Sequence, residues 1–387
     1  MRRILHIIPT LGGGGAERQL VNLVSHTSAD KFDHYVCVFE EAEFFAPAIR
    51  EAGFEVKELG VSGKHPWLSA TRKISKIVRE YKPDVICTWL YDAGIVGRMV
   101  HLRHSGIPLI CTLHLTQYEP ETIQGGNWSP TRVEGLRLID WVTNKITNQY
   151  FAACSEEVKN SYCRTLGIDP SEITTIYNGI DPEYLKIEEG APQKIRRELG
   201  ISDDDFVYLS VGRLAPQKNY PHLLTVFKKV VESIPNARLA IVGDGDIEND
   251  LKNLANSLNI ADKVYLLGRR TDIGACLEMA DVFVMPSLFE GMPLALLEAM
   301  FKRLPCIVSR IKVLEEAITE NESGLLIDPI DSTDLHDAMV KLYREPELRE
   351  RFGGRALEVA EQRFHIRTIA SQWENFYDKV LSENKIK

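Results

Sequence analysis

Short, continuous apolar runs alternate with longer amphipathic segments along almost the whole chain. Arg3–Ile8, Tyr35–Phe39, Phe54–Leu59, Asp84–Thr88, Leu109–Leu113, Tyr150–Ala153 and Ile173–Ile176 read as strands, and apolar residues recur at helical spacing between them. The series resumes at Val207–Val211 and continues through Leu239–Val242, Val264–Leu267, Val282–Met285, Cys306–Val308 and Gly324–Ile327. Runs that are apolar throughout, rather than alternating, predict strands buried on both faces of parallel sheets, with ligands at the carboxyl ends of the strands. Turn signals in Asn178-Gly179-Ile180-Asp181-Pro182 and the linker-like 188–192 divide the two series. The predicted domains are therefore residues 1–185 and 186–363. Phe364, Ile369, Trp373, Phe376, Tyr377 and Val380 give the final segment, 364–387, an apolar face that predicts a docked helix.

Composition changes this picture only at the margins. The 387 residues are 44% hydrophobic and 26% charged, the balance of an ordinary globular protein. No apolar run approaches about 18 residues, and the chain leads from Met1-Arg2-Arg3 directly into a strand, so a cytoplasmic location is expected. The net charge of −9 argues against a general nucleic-acid binder. That charge is uneven: residues 1–180 hold 19 Lys and Arg against 20 Asp and Glu, so the first half is nearly neutral. Seven cysteines without a Cys-x-x-Cys pair predict reduced core residues and no metal site.

Candidate chemistry lies where glycine or proline follows a strand. After Val282–Met285 comes Phe289-Glu290-Gly291-Met292-Pro293, then the strong helix formers Leu294–Phe301. Gly291 permits close backbone approach, and Pro293 suits a helix start, so amides near Met292 and Leu294 point outward at the positive end of the helix dipole. This is a cradle for an anionic or polar ligand. Glu290 could equally offset the dipole. Glu298 stands on a helix that is apolar all round, where a buried carboxylate needs donors, and a ligand diol could supply them.

The first strand opens into Gly12-Gly13-Gly14-Gly15-Ala16-Glu17-Arg18, a loop matching neither the dinucleotide nor the Walker pattern. Arg213 and Lys218 flank the loop after Val207–Val211, beside the place a diphosphate would occupy; two solvated surface charges are the other reading of those residues. His114 directly follows a strand, as either a structural hydrogen-bonder or a catalytic group. The following Leu115–Thr131, with Tyr118 and Trp128, predicts a long loop, and acceptor recognition is its expected role.

The two glutamates, separated by seven residues in the context Phe-Glu-Gly-Met-Pro and Glu-Ala-Met, resemble the signature of family 4 glycosyltransferases. Those are retaining enzymes dependent on nucleotide sugars, with the GT-B fold: two Rossmann-like, doubly wound α/β domains facing a central cleft, and a last helix crossing back to the first domain. The resemblance extends to Gly14-Gly15-Ala16-Glu17-Arg18, Asn178-Gly179-Ile180-Asp181, Gly212-Arg213 with Lys218-Asn219, and Val242-Gly243-Asp244-Gly245. It implies catalytic parts for Arg213, Lys218, Glu290 and His114. It implies donor contacts from Gly13, Gly14, Gly15, Gly212, Gly243, Gly245, Arg269, Gly291, Met292, Pro293, Leu294 and Glu298, with Glu290 on the transferred sugar and Glu298 on the ribose. Glu17, Arg18, Tyr118 and Trp128 are the acceptor candidates. The spacing Asp244-x-Asp246 resembles a metal motif of another glycosyltransferase fold, but the glycine turn and the two cations already fill that role, so metal-independent transfer is expected, without a cofactor.

The implied reaction moves a sugar, on the form of Met292-Pro293 from UDP-hexose or UDP-N-acetylhexosamine, to a hydroxyl of a glycan or lipid-linked saccharide in surface polysaccharide, lipopolysaccharide or oligosaccharide synthesis. The alternatives are a GT-B nucleotide-sugar epimerase and a non-catalytic sugar-nucleotide-binding module. Residues 67–82 add Arg72, Lys73, Lys76, Arg79 and Lys82 on a helix whose Leu68, Ile74, Ile77, Val78 and Tyr81 share a face, with Arg98, His101, Arg103 and His104 nearby. These cations read either as a solvated face or as a peripheral contact with the anionic inner membrane.

Overall fold

The computed structural model describes residues 1–40, 44–61 and 66–384. The chain forms two compact units, one of Met1–Glu119, Ser129–Gly179 and Ile366–Lys387, the other of Pro120–Trp128 and Ile180–His365.

The first unit is built on strands β1 (Arg2–Ile8), β2 (Phe32–Val38), β3 (Glu55–Glu58), β4 (Val85–Thr88), β5 (Leu109–Leu113), β6 (Gln149–Ala153) and β7 (Ile173–Thr175). They pair in parallel in the order β3-β2-β1-β4-β5-β6-β7. The order reverses between β1 and β4, where Ile4 faces Val85, and a crevice forms at the carboxyl ends of such a pair. β4 and β5 are buried at every position, as their unbroken apolar runs require. The helix Ile366–Asn384 belongs to this unit. Its Ile369, Trp373, Tyr377 and Val380 are buried, with Trp373 stacked on Trp89 at 5.8 Å and Tyr377 against Phe32 at 5.6 Å. Each such side chain contributes about 1.5–3 kcal/mol by leaving water, so the last helix is an integral part of this core.

The second unit holds β8 (Phe206–Val211), β9 (Ala237–Val242), β10 (Val264–Leu266), β11 (Val282–Met285), β12 (Cys306–Ser309) and β13 (Gly324–Ile327), parallel in the order β10-β9-β8-β11-β12-β13. Its switch point lies between β8 and β11.

Two local differences from the sequence reading have simple causes. Leu115–Thr131, expected as a loop, contains the short helix Pro120–Gly125. Six residues are too few to show a helical period, and the proline at the start is the sole signal. Leu68, assigned to the buried face of its helix, is 52% exposed at the first turn of Pro66–Tyr81. The seven cysteines are unbonded, and all but Cys163 are buried. Among the described residues no helix is long and apolar enough to cross a membrane.

Candidate active site

In the second unit three loops at strand carboxyl ends interlock through their backbones. Gly212 N donates to Val242 O at 2.9 Å, Leu214 N to Asp244 O at 2.8 Å and Gly243 N to Gly268 O at 2.8 Å. The approach is close enough to demand glycine. Gly243 has φ +142° and a Cβ there would stand 2.1 Å from Gly212 O, while Gly245 has φ +156° and a Cβ would stand 2.3 Å from Leu214 O. Arg269 reaches back to Asp244 at 3.1 Å, so an arginine partners the first carboxylate of the Asp-x-Asp pair.

The centre of the site is an ion pair. Lys218 Nζ donates to Glu290 Oε1 at 2.6 Å with side chains only 13% and 7% exposed, and Gln217 Nε2 donates to Glu290 Oε2 at 3.1 Å and to Phe289 O at 2.9 Å. The stem of Lys218 lies over Gly212, where a Cβ would meet its Cε at 2.7 Å. Glu290 is thus a charge held by the neighbouring loop, rather than a group offsetting the dipole of its own helix. Gly291, Met292, Pro293, Leu294 and Glu298 are all buried. Pro293 occupies the N-cap of the helix Leu294–Phe301, one place before the position expected, and no side chain caps that end. Arg213 is exposed. The result is a buried, paired lysine and a second, exposed cation at the carboxyl ends of the strands, which suits an anion carrying several oxygens.

In the first unit Gly13, Gly14 and Gly15 are exposed in the loop that ends at the helix Gly15–His26. Glu17 is buried, accepts from Thr10 Oγ1 at 2.9 Å and lies where a Cβ on Gly14 would stand 2.2 Å from its Oε2. It supports the loop from beneath. Arg18 is half-buried. Tyr118 is buried and donates its hydroxyl to Asp140 at 2.8 Å, so the ring faces the core. Trp128 packs edge-on against Phe289 at 5.9 Å in the second unit, beside the Glu290 loop.

His114 sits at the end of β5 with its ring stacked on Trp89 at 5.3 Å. Its protonation state follows from its neighbours. Thr112 donates its one hydroxyl proton to Thr88 O at 2.9 Å and must therefore accept from His114 Nε2 at 2.7 Å. His114 thus carries its proton on Nε2 and a lone pair on Nδ1, and burial pushes its pKa down to about 4. It can accept a hydrogen bond from a hydroxyl at neutral pH, but it carries no charge.

Behind Trp89 runs a buried chain that the sequence did not announce. The indole can only donate, so Trp89 Nε1–H fixes His6 Nδ1 as acceptor at 3.1 Å. His6 Nε2–H then donates to His34 Nδ1 at 2.9 Å, and His34 Nε2–H to Thr27 Oγ1 at 2.7 Å. Burial holds both histidines neutral, His34 with a pKa of about 3 and His6 also well below its ordinary value, lowered further by His34. The one signal available in sequence was a histidine inside each of two apolar strands.

Comparison with known proteins shows the family and the fold. Residues 13–184 match the family described as Glycosyltransferase Family 4, and residues 192–359 match Glycosyl transferases group 1. The UDP-Gal:alpha-D-GlcNAc-diphosphoundecaprenol alpha-1,3-galactosyltransferase of Escherichia coli is 34% identical over 274 residues, covering 69% of this chain and 68% of its own length. The N-acetyl-alpha-D-glucosaminyl L-malate synthase of Bacillus anthracis is 31% identical over 78% of this chain and 74% of its own. Among solved structures, Anabaena HepE in complex with UDP-glucose superposes with a TM-score of 0.85 at 20% identity, covering 99% of this chain and all of that one. Sucrose-phosphate synthase from Thermosynechococcus elongatus superposes with a TM-score of 0.84 at 18% identity, again over 99% of this chain and all of its own.

Proposed function

Because this chain belongs to glycosyltransferase family 4, and is a glycosyltransferase of GT-B fold, we propose that it moves a hexose or N-acetylhexosamine from UDP to a hydroxyl of a lipid-linked saccharide, with retention at the anomeric carbon. The observation that carries the reading is the Lys218–Glu290 pair against the glycine loops. The barrier to transfer lies in charge growing on the leaving diphosphate while the sugar becomes oxocarbenium-like. Arg213, Lys218 and the amides around Met292 and Leu294 are the donors for that charge, and each preorganised donor of this kind is worth roughly 3–4 kcal/mol of barrier. Glu290 already accepts from Lys218 and Gln217, which suits hydrogen bonding to sugar hydroxyls better than nucleophilic attack on the anomeric carbon. Glu298 takes the ribose diol. His114 Nδ1 accepts from a hydroxyl of the transferred sugar. The donor is argued from the UDP-Gal named for the Escherichia coli relative, and the lipid-linked acceptor from the diphosphoundecaprenol in the same name. A lipid-linked acceptor brings the enzyme to an anionic membrane surface, for which the exposed cations of Pro66–Tyr81 provide attraction.

The test is a panel of UDP, GDP and ADP sugars read by thermal shift, followed by transfer assays with and without polyprenyl-diphosphate saccharides. Ligand at about 100 times its Kd stabilises by about 2.7 kcal/mol, so the right nucleotide stands out. Product only with acceptor supports the proposal. Free sugar or an altered nucleotide sugar without acceptor would identify an epimerase, and binding without turnover a non-catalytic module.

A further inference from the structure

The helix Pro130–Ile146 is turned inside out. A surface helix ordinarily buries its apolar stripe and shows its charges. Here the inward side is anchored by a carboxylate: Asp140 is buried, receives Arg98 and the Tyr118 hydroxyl, and Arg98 also reaches Thr143 at 3.1 Å. The outward side carries Leu138, Trp141, Val142 and Ile146, spaced three, four and eight residues from the first, with Leu138 56% and Ile146 57% exposed. The ridge continues onto Leu102, which is also exposed and shares with Ile146 the lining of a cavity of about 270 Å³. Large apolar side chains left contiguous on a surface mark a contact site.

The charges around the ridge say what covers it. Arg132 and Lys145 are exposed on the helix itself, and Arg103 is exposed next to Leu102. Burial first, and then the charges of Arg79 and Arg103, lower the pKa of His104, so Arg79 of Pro66–Tyr81 and Arg103 beside Leu102 both lie within reach of that one ring. Of the acids near the ridge, Glu134 is engaged with Arg137, Glu80 with Lys76 and Glu383 with Tyr150, while Asp140 is inside. Arg98 and His101, which sequence placed in the basic surface, are buried and do not contribute. In a chain of net charge −9 this is a basic rim around an apolar ridge that includes tryptophan. A second copy docked symmetrically through the same patch would bring one basic rim against another. An anionic lipid surface matches both features, taking the apolar face into the acyl boundary and the cations into the headgroups.

We infer that Pro130–Ile146, with Leu102 at its edge, is the element that seats this enzyme in an anionic bilayer, with the cations of Pro66–Tyr81 as its electrostatic support. The inference rests on the lipid-linked acceptor reading for its purpose, but the binding itself is measured separately. Full-length protein is floated with phosphatidylglycerol-containing and with pure phosphatidylcholine vesicles, at low and high salt. Wild type should bind the anionic vesicles. Leu138→Ser/Trp141→Ser should lower the partition coefficient about tenfold or more at both salt levels, whereas Arg103→Gln/Lys145→Gln should lose the salt-sensitive part. Both variants change exposed residues, and their thermal shift with UDP should equal that of wild type, which guards against misfolding. Undiminished binding by the serine variant would overturn the inference, as would wild type that ignores anionic vesicles, or a concentration-dependent dimer that the serine variant abolishes. Vesicle binding together with transfer only to water-soluble acceptors would leave the inference standing and remove the acceptor reading instead.

Discussion

Lys218 has two separable jobs, and one pair of substitutions divides them. Its ammonium lies 2.6 Å from a Glu290 carboxylate that is itself almost fully buried. Lys218→Met keeps the stem that packs over Gly212 but leaves the carboxylate without its charge partner. Breaking a buried pair from one side costs about 3–5 kcal/mol, because the remaining charge stays desolvated. For a unit of this size about 2–4 °C is lost per kcal/mol, so Tm should fall by roughly 6–20 °C. Turnover should fall by about 10²–10³, as for loss of a single preorganised donor to a developing oxyanion. Adding Glu290→Gln removes the stranded charge while retaining an oxygen for Gln217, so Lys218→Met/Glu290→Gln should recover most of the lost Tm. It should recover none of the lost turnover. The assays are differential scanning fluorimetry without ligand and initial rates at saturating UDP-sugar on the same preparations. Recovered turnover in the double variant would show that Lys218 serves only to neutralise Glu290, and an unchanged Tm in the single variant would show that the pair is not buried in solution.

His6, His34 and His114 are held neutral by burial, His34 and His114 with pKa values of about 3 and about 4. An unfolded histidine titrates near 6.5, so the unfolded chain takes up protons first as pH falls; full stability holds above about 6.5 and each histidine removes up to about 1.4 kcal/mol per pH unit below it. Urea midpoints should therefore drop between pH 6.5 and 5, before carboxylates titrate, and a flat profile there would refute the neutral chain. Gly243→Ala forces a β-carbon onto Gly212 O at φ +142°, and should both destabilise the protein by about 1–3 kcal/mol and weaken UDP binding in a thermal-shift titration. Transfer should survive excess EDTA; abolition with recovery in Mn²⁺ would return Asp244 and Asp246 to consideration as ligands.

The strands were legible because a strand buried on both faces has to be apolar at every position, and runs such as Val85–Thr88 and Val282–Met285 meet that condition visibly. Gly243 and Gly245 were legible because backbone crowding leaves no other residue there. What sequence concealed was pairing across long separations. Nothing near Lys218 points to Glu290, and a histidine within the apolar Arg3–Ile8 run looks like an isolated polar lapse until Trp89 and His34 stand beside it. Pro130–Ile146 shows the deeper reason: periodicity reports that a helix has two faces, but only the position of Arg98 decides that Asp140 turns inward and the apolar face outward.

The short segment Pro120–Trp128 has a consequence for how relatives of this protein can be recombined. Because it belongs with Ile180–His365 although its flanks do not, the chain passes from one unit to the other after Glu119, Trp128, Gly179 and His365. A chimera joined only near Gly179 and His365, the simplest way to exchange one unit for a relative's, would import a foreign Pro120–Trp128 against Leu288 and Phe289. Gly125 is already so close to those two side chains that a β-carbon would stand 3.0 Å from Leu288 Cβ and 3.1 Å from Phe289 Cδ1. This nine-residue insert therefore travels with the second unit, and unit swaps in this lineage should succeed when all four junctions are respected.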